Sequence, residues 1–372
     1  MLDLATLPPL EIAPRLDRLR ERLRAEALDA LVISRLPNVR YLTGFTGSAA
    51  LLLVGAGDEA VFVTDGRYAE QSGEQLDAAG VTARIEVRLT AAAQLDVLAD
   101  AIRTAGHRRV GLEAAGVTWA QQRDFESAFG AVELVPAAPL VEDLRRAKDA
   151  GEIARIAAAC AIADDAFQVL LPKLGSGITE REFALALEFG MRERGASGNS
   201  FDPIIASGPN GSKPHARPSD RVIEHNELIV CDFGCIVDGY CSDMTRTVSV
   251  GDPGADARRL YDVVFDAQRL GREAVREGAD VVAVDAACRD RIALEGWAEK
   301  FAHGTGHGVG LEIHEAPRVA SSGRGSLVIG DIVTVEPGVY LPGIGGVRIE
   351  DTLVVDANGG DILTHTPKEL VI

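Results

Sequence analysis

Leu16, Leu19, Leu23 and Leu28 recur at helical spacing on a charged background, the pattern of an amphipathic helix with one apolar stripe. The apolar run at 30–33 follows and predicts a short buried strand. Segments 51–54, 61–64 and 110–113 read the same way, separated by polar stretches of helical period at 91–105 and 118–129. Helix and strand periods alternating in this manner predict an α/β domain with a parallel or mixed sheet. No G-x-G-x-x-G opens a helix here, so nothing supports a dinucleotide site.

Pro136 and Pro139, set among alanines, suit a linker, and on this reading the chain divides into residues 1–138 and 139–372. A charged segment at 142–149 runs into a long amphipathic helix to about Leu171, ended by Pro172, Gly175 and Gly177. Thr179-x-x-Glu182 is a capping box that opens a second helix, stopping near Gly195. Residues 197–220, rich in Gly, Pro and Ser, read as a loop. Strands, two helices at about 256–277 and 281–300, and further strands complete an α+β second domain with no obvious internal repeat.

Composition narrows the partners. A length of 372 residues fits two domains. Apolar residues make up 47% and charged residues 25%, which argues for a folded soluble chain. Lys and Arg number 38 against 56 Asp and Glu, a net charge of −18. That balance repels phosphates, so nucleic acid is not an expected partner, while cations are compatible with it. Residues 1–15 hold Asp3, Glu11 and three prolines instead of a basic start and an apolar run, so no signal peptide is expected. No stretch of about 18 uncharged apolar residues occurs, so no membrane partner is expected either. Five cysteines without a C-x-x-C pair point to reduced thiols and a cytoplasmic protein. Cys231, Cys235 and Cys241 crowd together, but their spacing matches no structural zinc pattern.

The chemistry concentrates in the second half. Asp238-Gly239 between apolar runs is a two-residue hairpin signal. With the turn there, paired positions sum to 477, so Gly234 faces Asp243. Asp232 shares the parity of Gly234 and therefore the face of Asp243, while Cys231 and Cys235 point to the other face as small core residues. Two carboxylates aimed at one spot repel unless a cation lies between them. Further on, FAHGTGHGVGLEIHEAP holds His303, His307 and His314, three of the chain's seven histidines, among glycines that admit close backbone approach. Glu336 interrupts an apolar strand pattern at 333–339. At 346–354, Val347 and Ile349 take one face of a strand and Arg348, Glu350 and Thr352 the other. A carboxylate within an apolar strand is costly unless paired or bound to metal, and an Arg348–Glu350 ion pair is the simplest alternative. Asp232, Asp243, His307, Glu336 and Glu350 together offer about nine donor atoms, enough for two divalent ions of the Mn, Co, Fe or Zn type.

This ordered set resembles the metallopeptidases of the pita-bread fold, which comprise methionine aminopeptidase, aminopeptidase P and prolidase, with creatinase as a non-metal relative. Asp232 and Asp243 stand eleven apart, His307 lies in GHGVG, Glu336 in VEPG and Glu350 in RIED, as the family pattern requires. The family's two non-ligand histidines match His215 in KPHARP and His314 in EIHE. Segments NVRYLTGFTGSAALLLV and FVTDGRYAEQ resemble the creatinase-type N-terminal domain, which simple methionine aminopeptidases lack. The resemblance implies an α/β creatinase-type domain followed by an α+β pita-bread catalytic domain. It implies two divalent metal ions (Mn, Co or Zn) held by Asp232, Asp243, His307, Glu336 and Glu350. Glu336 is then the general base, His215 and His314 stabilise the substrate oxygen, Arg348 orients Glu350, and His303 is a support of the cluster or a wall of the pocket. Arg318, in HEAPR, matches a prolidase arginine that grips the free carboxylate of a C-terminal proline. The implied activity is therefore cleavage before proline in Xaa-Pro dipeptides, with an aminopeptidase P acting on longer Xaa-Pro peptides as the alternative. Relatives of this kind are commonly homodimers. Some have lost catalysis and serve as binding modules, a reading that the complete ligand set and the acidic charge oppose.

Overall fold

A computed structural model describes residues 3–372. The chain forms two compact units, Glu11–Arg145 and a larger one made of residues 3–10 with Arg146–Ile372. They divide at 145/146 instead of at the 138/139 boundary expected from the prolines, because the chain past Pro139 goes straight into a helix, Leu140–Arg146.

In the first unit, helix α1 (Arg15–Ala25) buries Leu16, Leu19 and Leu23 along one stripe. Strands β1 (Ala30–Ile33), β2 (Ala50–Gly55), β3 (Ala60–Thr64), β4 (Arg84–Val87), β5 (Arg109–Glu113) and β6 (Glu133–Ala137) form one sheet in the order β4-β3-β2-β1-β5-β6. The sheet is mixed: β1 runs antiparallel to β2 and parallel to β5. Helices α2 (Leu36–Thr43), α3 (Ala69–Ala78), α4 (Ala91–Ala105) and α5 (Trp119–Phe129) complete the α/β layout, and α6 is Leu140–Arg146. Val32, Leu53, Val63 and Val110 pack with Leu98 and Ile102 of α4 and Phe125 and Phe129 of α5.

The second unit opens with α7 (Ala150–Leu170) and α8 (Glu180–Glu193), each started by a capping box, Asp149 with Glu152 and Thr179 with Glu182. The expected loop at 197–220 contains two strands, β7 (Gly198–Asn199) and β8 (Ile204–Ser207). Ile204 and Ile205 are too few to signal a strand amid Gly, Pro and Ser; pairing with β9 (Ile229–Phe233) supplies what local sequence lacks. Next come β10 (Cys235–Val237), β11 (Tyr240–Cys241) and β12 (Met244–Val248). The hairpin register is the expected one. Phe233 pairs with Met244, Asp232 with Thr245, Ile236 with Cys241 and Val237 with Tyr240, each pair summing to 477. Its turn residues Asp238 and Gly239 have φ of 44° and 77°, both left-handed as a type I′ turn demands. Arg155 Nε donates to Asp238 Oδ2 at 2.7 Å and steadies that turn.

Helices α9 (Ala255–Ala274) and α10 (Val281–Ala293) then precede β13 (Gly306–Gly308), β14 (Glu315–Val319), β15 (Ile332–Val335), β16 (Gly338–Leu341), β17 (Gly345–Arg348), β18 (Asp351–Asp356) and β19 (Gly359–Ile362). Five of these strands form a sheet in the order β14-β13-β15-β18-β19, while β16 pairs with β17. Segments 333–339 and 346–354 are thus not continuous strands. Each breaks at its glutamate: Glu336 follows β15, and Glu350 lies between β17 and β18. At the breaks the backbone N–H groups leave their own ladders, Glu336 donating to Thr305 O at 2.7 Å and Glu350 to Thr245 O at 3.1 Å.

One apolar core joins α9 and α10 to β15, β17 and β18 through Leu260, Val264, Val284, Val335, Val347 and Leu353. A second joins α7 and α8 to β9 and β12 through Phe167, Phe183, Cys231, Phe233 and Met244. All five cysteines are free and buried, and burial pushes the Cys235 and Cys288 thiols up to about 12, so they behave as core residues. No helix among the described residues is long and apolar enough to cross a membrane.

Candidate active site

Ten residues singled out from the sequence line one cavity of about 640 Å³ in the second unit: His215, Asp232, Asp243, His303, His307, His314, Arg318, Glu336, Arg348 and Glu350. The carboxylates reach it from strand positions and strand ends. Asp232 stands on β9, the middle strand of the sheet β12-β9-β8, and Asp243 immediately precedes β12. Glu336 and Glu350 sit at the two strand breaks, where side chains can turn out of the ladders.

Their electrostatics are unfavourable as they stand. Burial holds the Asp243 carboxyl well above the usual carboxylate range, and Glu350, Asp232 and Glu336 push it further. Glu350 is raised in the same way, by burial and then by Glu336 and Asp232. Glu336 is pushed up to about 8, chiefly by burial. Asp232 Oδ1 and Glu350 Oε1 are buried and have no hydrogen-bond partner among the described residues. Bare carboxylate oxygens in such a place cost several kcal/mol unless something cationic meets them.

His307 completes the cluster. It lies on β13, whose edge runs so close to β15 that a Cβ at Gly306 would stand 1.9 Å from Thr334 O. Nδ1 lies 3.0 Å from the Gly308 carbonyl, which can only accept, so Nδ1 carries the proton. Burial, with the neighbouring His314 ring, lowers the His307 pKa to about 4 and keeps the ring neutral. The Nε2 lone pair therefore faces Asp243 Oδ2 at 3.5 Å and Glu336 Oε1 at 3.4 Å. A lone pair set against two carboxylates gains nothing from them and suits a shared cation. Donor atoms of Asp243, His307 and Glu350 lie within 4.8 Å of one another. The two bare oxygens, the mutual repulsion and this convergence all fit divalent metal ions.

Arg348 is not where strand parity put it. Instead of Glu350, its Nη2 donates to Asp232 Oδ2 at 2.5 Å, and its Nη1 to the Tyr340 hydroxyl at 2.6 Å. The alternation that placed Arg348 and Glu350 on one face fails because β17 ends at Arg348. Glu350 is held by Thr245, whose Oγ1 donates to Oε2 at 2.7 Å, and Arg348 Nε donates to that same hydroxyl at 3.2 Å. His303 joins the network from the other end. Its Nδ1 donates to Gly304 O at 2.8 Å and its Nε2 accepts from Tyr340 at 2.9 Å. Burial, then Arg348, lowers its pKa to about 4.

Tyr340, Thr245 and Thr334, whose hydroxyl accepts from the His307 backbone N–H at 3.1 Å, are participants that the sequence pattern did not flag. Tyr340 lies in VYLP, among apolar residues with no flag of its own. Only the β16–β17 pairing, with Gly338 opposite Arg348, brings its hydroxyl to the guanidinium.

His215, His314 and Arg318 form the open side of the cavity and are exposed. The His314 ring meets His307 edge to face at 4.3 Å, and burial with the nearby His215 lowers its pKa. Phe201, Ile204 and Ile313 give the same cavity an apolar wall.

A buried carboxylate–histidine cluster, in a unit that follows an α/β unit in the sequence, defines a metallopeptidase, and comparison with known proteins agrees. Residues 154–357 match metallopeptidase family M24, and residues 15–147 match the creatinase/prolidase N-terminal domain. The chain belongs to family M24 and carries the pita-bread catalytic fold after a creatinase-type domain in the sequence. The uncharacterized peptidase YqhT of Bacillus subtilis is 42% identical over 96% of this chain and 99% of its own length. A structure of Xaa-Pro dipeptidase from Bacillus anthracis superposes with a TM-score of 0.91 at 38% identity, covering 96% of this chain and 99% of that one. X-Pro aminopeptidase from Thermotoga maritima superposes with a TM-score of 0.86 at 34% identity over the same shares.

Proposed function

We propose that this chain is a dinuclear-metal exopeptidase cleaving the bond before proline in Xaa-Pro dipeptides, with Asp232, Asp243, His307, Glu336 and Glu350 as ligands. The observation that carries the reading is the pair of buried oxygens, Asp232 Oδ1 and Glu350 Oε1, that have no hydrogen-bond partner among the described residues and sit in a cluster of crowded carboxylates that bound cations would neutralise. Divalent ions of the Mn, Co or Zn type held there supply Lewis-acid activation of water at neutral pH.

The remaining steps belong to the protein's own groups. Glu336 takes the proton of the attacking water and passes it to the proline nitrogen. That nitrogen has no N–H, so peptidases relying on one fail with this bond, and a dedicated pocket is needed. His215 and His314, at the open side, donate to the substrate carbonyl oxygen as charge develops on it. Arg348 fixes Asp232 through its guanidinium and is itself held by Tyr340, which His303 anchors. Arg318 takes the free carboxylate of the dipeptide.

A second reading, an aminopeptidase acting on longer Xaa-Pro peptides, is favoured by the likeness to the Thermotoga maritima protein of that name. Arg318 separates the two. Arg318→Ala is expected to cut kcat/KM for Xaa-Pro dipeptides about 100-fold, the loss of one charge-assisted pair, and to leave Xaa-Pro-Xaa tripeptides within about threefold. Equal losses on both remove the dipeptidase assignment. The same reading carries a homodimer, which sedimentation would test, and a cytoplasmic site, which the five free thiols favour.

A further inference from the structure

Asp351 follows Glu350 and is fully buried, and three cations converge on its carboxylate. Arg246 Nη2 lies 3.1 Å from Oδ1; Lys368 Nζ at 2.7 Å and Arg272 Nη1 at 3.6 Å approach Oδ2. Gln268 Nε2 and Thr364 Oγ1 also donate to it, at 2.8 Å and 3.1 Å, so its oxygens are fully used. Three positive charges on one negative charge leave a local surplus of two, in a protein whose net charge is −18.

The three cations are not equivalent. Arg246 is buried and satisfied by the carbonyls of Thr245, Glu350 and Thr366. Arg272 has one partner for its guanidinium among the described residues, the long contact to Asp351, and its side chain is 30% exposed. Arg272 and Lys368 line a surface groove of about 350 Å³ between α9 and the segment 362–368. The other arginine of this groove, Arg269, is already paired with Asp266 and Glu273.

We propose that this groove is an oxyanion site, taking a free dianion of the phosphate or sulfate class on Arg272 and Lys368. A dianion matches the surplus of two charges, whereas a carboxylate offsets only one. Arg272 supplies guanidinium N–H groups with no hydrogen-bond partner among the described residues, in the fork geometry that suits tetrahedral oxyanions. The site adjoins the metal-holding segment without using its residues, because Arg246 donates both to the Glu350 carbonyl and to the Asp351 carboxylate.

Equilibrium dialysis of the full, metal-loaded chain against radiolabelled sulfate at constant ionic strength tests this. Saturable binding with a Kd on the order of 1 mM is expected. Arg272→Gln should weaken it about tenfold, and Arg272→Glu should remove it. Lys368 is left intact because it anchors Asp351. Absence of saturable binding up to about 20 mM overturns the proposal. So does binding that Arg272→Gln leaves unchanged, since the anion then lies elsewhere, the metal cluster included.

Discussion

Adding metal to the stripped protein should expel protons, and the cavity sets how many. Ligands must be deprotonated to bind, so each group that holds a proton in the metal-free state has to release it. Glu336, held at about 8 mainly by burial, is about nine-tenths protonated at pH 7. Asp243 and Glu350, raised well above their ordinary range by burial first and then by neighbouring carboxylates, add to the release. His307, lowered to about 4, is already neutral and adds nothing. Titration of Mn²⁺ into chelator-stripped protein, by calorimetry in two buffers of different ionisation enthalpy, should therefore report at least about 0.9 proton released at pH 7. The share from Glu336 should fall to about 0.2 at pH 8.5, and apparent affinity should rise with pH between them. The same shift bears on stability. Glu336 binds its proton more tightly folded than at its ordinary 4.5, so in the metal-free protein it makes stability fall as pH climbs from 4.5 to 8. A release of zero protons at pH 7, or proton uptake, would mean that the cluster is charged before any cation arrives and that burial does not hold protons on it.

Two further outcomes follow from particular contacts. Arg348→Met leaves Asp232 without its buried partner and should cost about 3–5 kcal/mol in the metal-free protein, and clearly less once Mn²⁺ is bound; calorimetric melting of both forms checks this, and equal costs would mean that no cation neutralises Asp232. Gly306→Ala forces β13 away from the Thr334 carbonyl, so equilibrium dialysis should show Mn²⁺ affinity lowered at least tenfold, and unchanged affinity would free His307 from the ligand set.

What the sequence made legible was local. The Asp238-Gly239 turn and a period of two were enough to fix the register that puts Asp232 and Asp243 on one face, and no distant part of the chain is needed for that. The capping box Thr179-x-x-Glu182 marked the start of α8 for the same reason. Where pairing partners come from afar, the reading failed. The strand at Ile204–Ser207 exists because β9 offers it a ladder. The breaks at Glu336 and Glu350 exist because Thr305 and Thr245 take their backbone N–H groups. Once β17 ends at Arg348, parity no longer ties Arg348 to Glu350, and its guanidinium goes to Asp232 and Tyr340. Tyr340 carried no signal at all, since an aromatic residue in a strand is ordinarily core.

Whether a metal-loaded carboxylate–histidine cluster, with Glu336 as its base, hydrolyses the bond before proline is decided by turnover of an Xaa-Pro dipeptide by the full chain, measured with its metal content. Chelation should abolish turnover, and Mn²⁺, Co²⁺ or Zn²⁺ should restore it. Glu336→Ala should stay folded and lose activity by at least about 100-fold in the restored state. Normal turnover by stripped protein, or by metal-supplied Glu336→Ala, would contradict that mechanism.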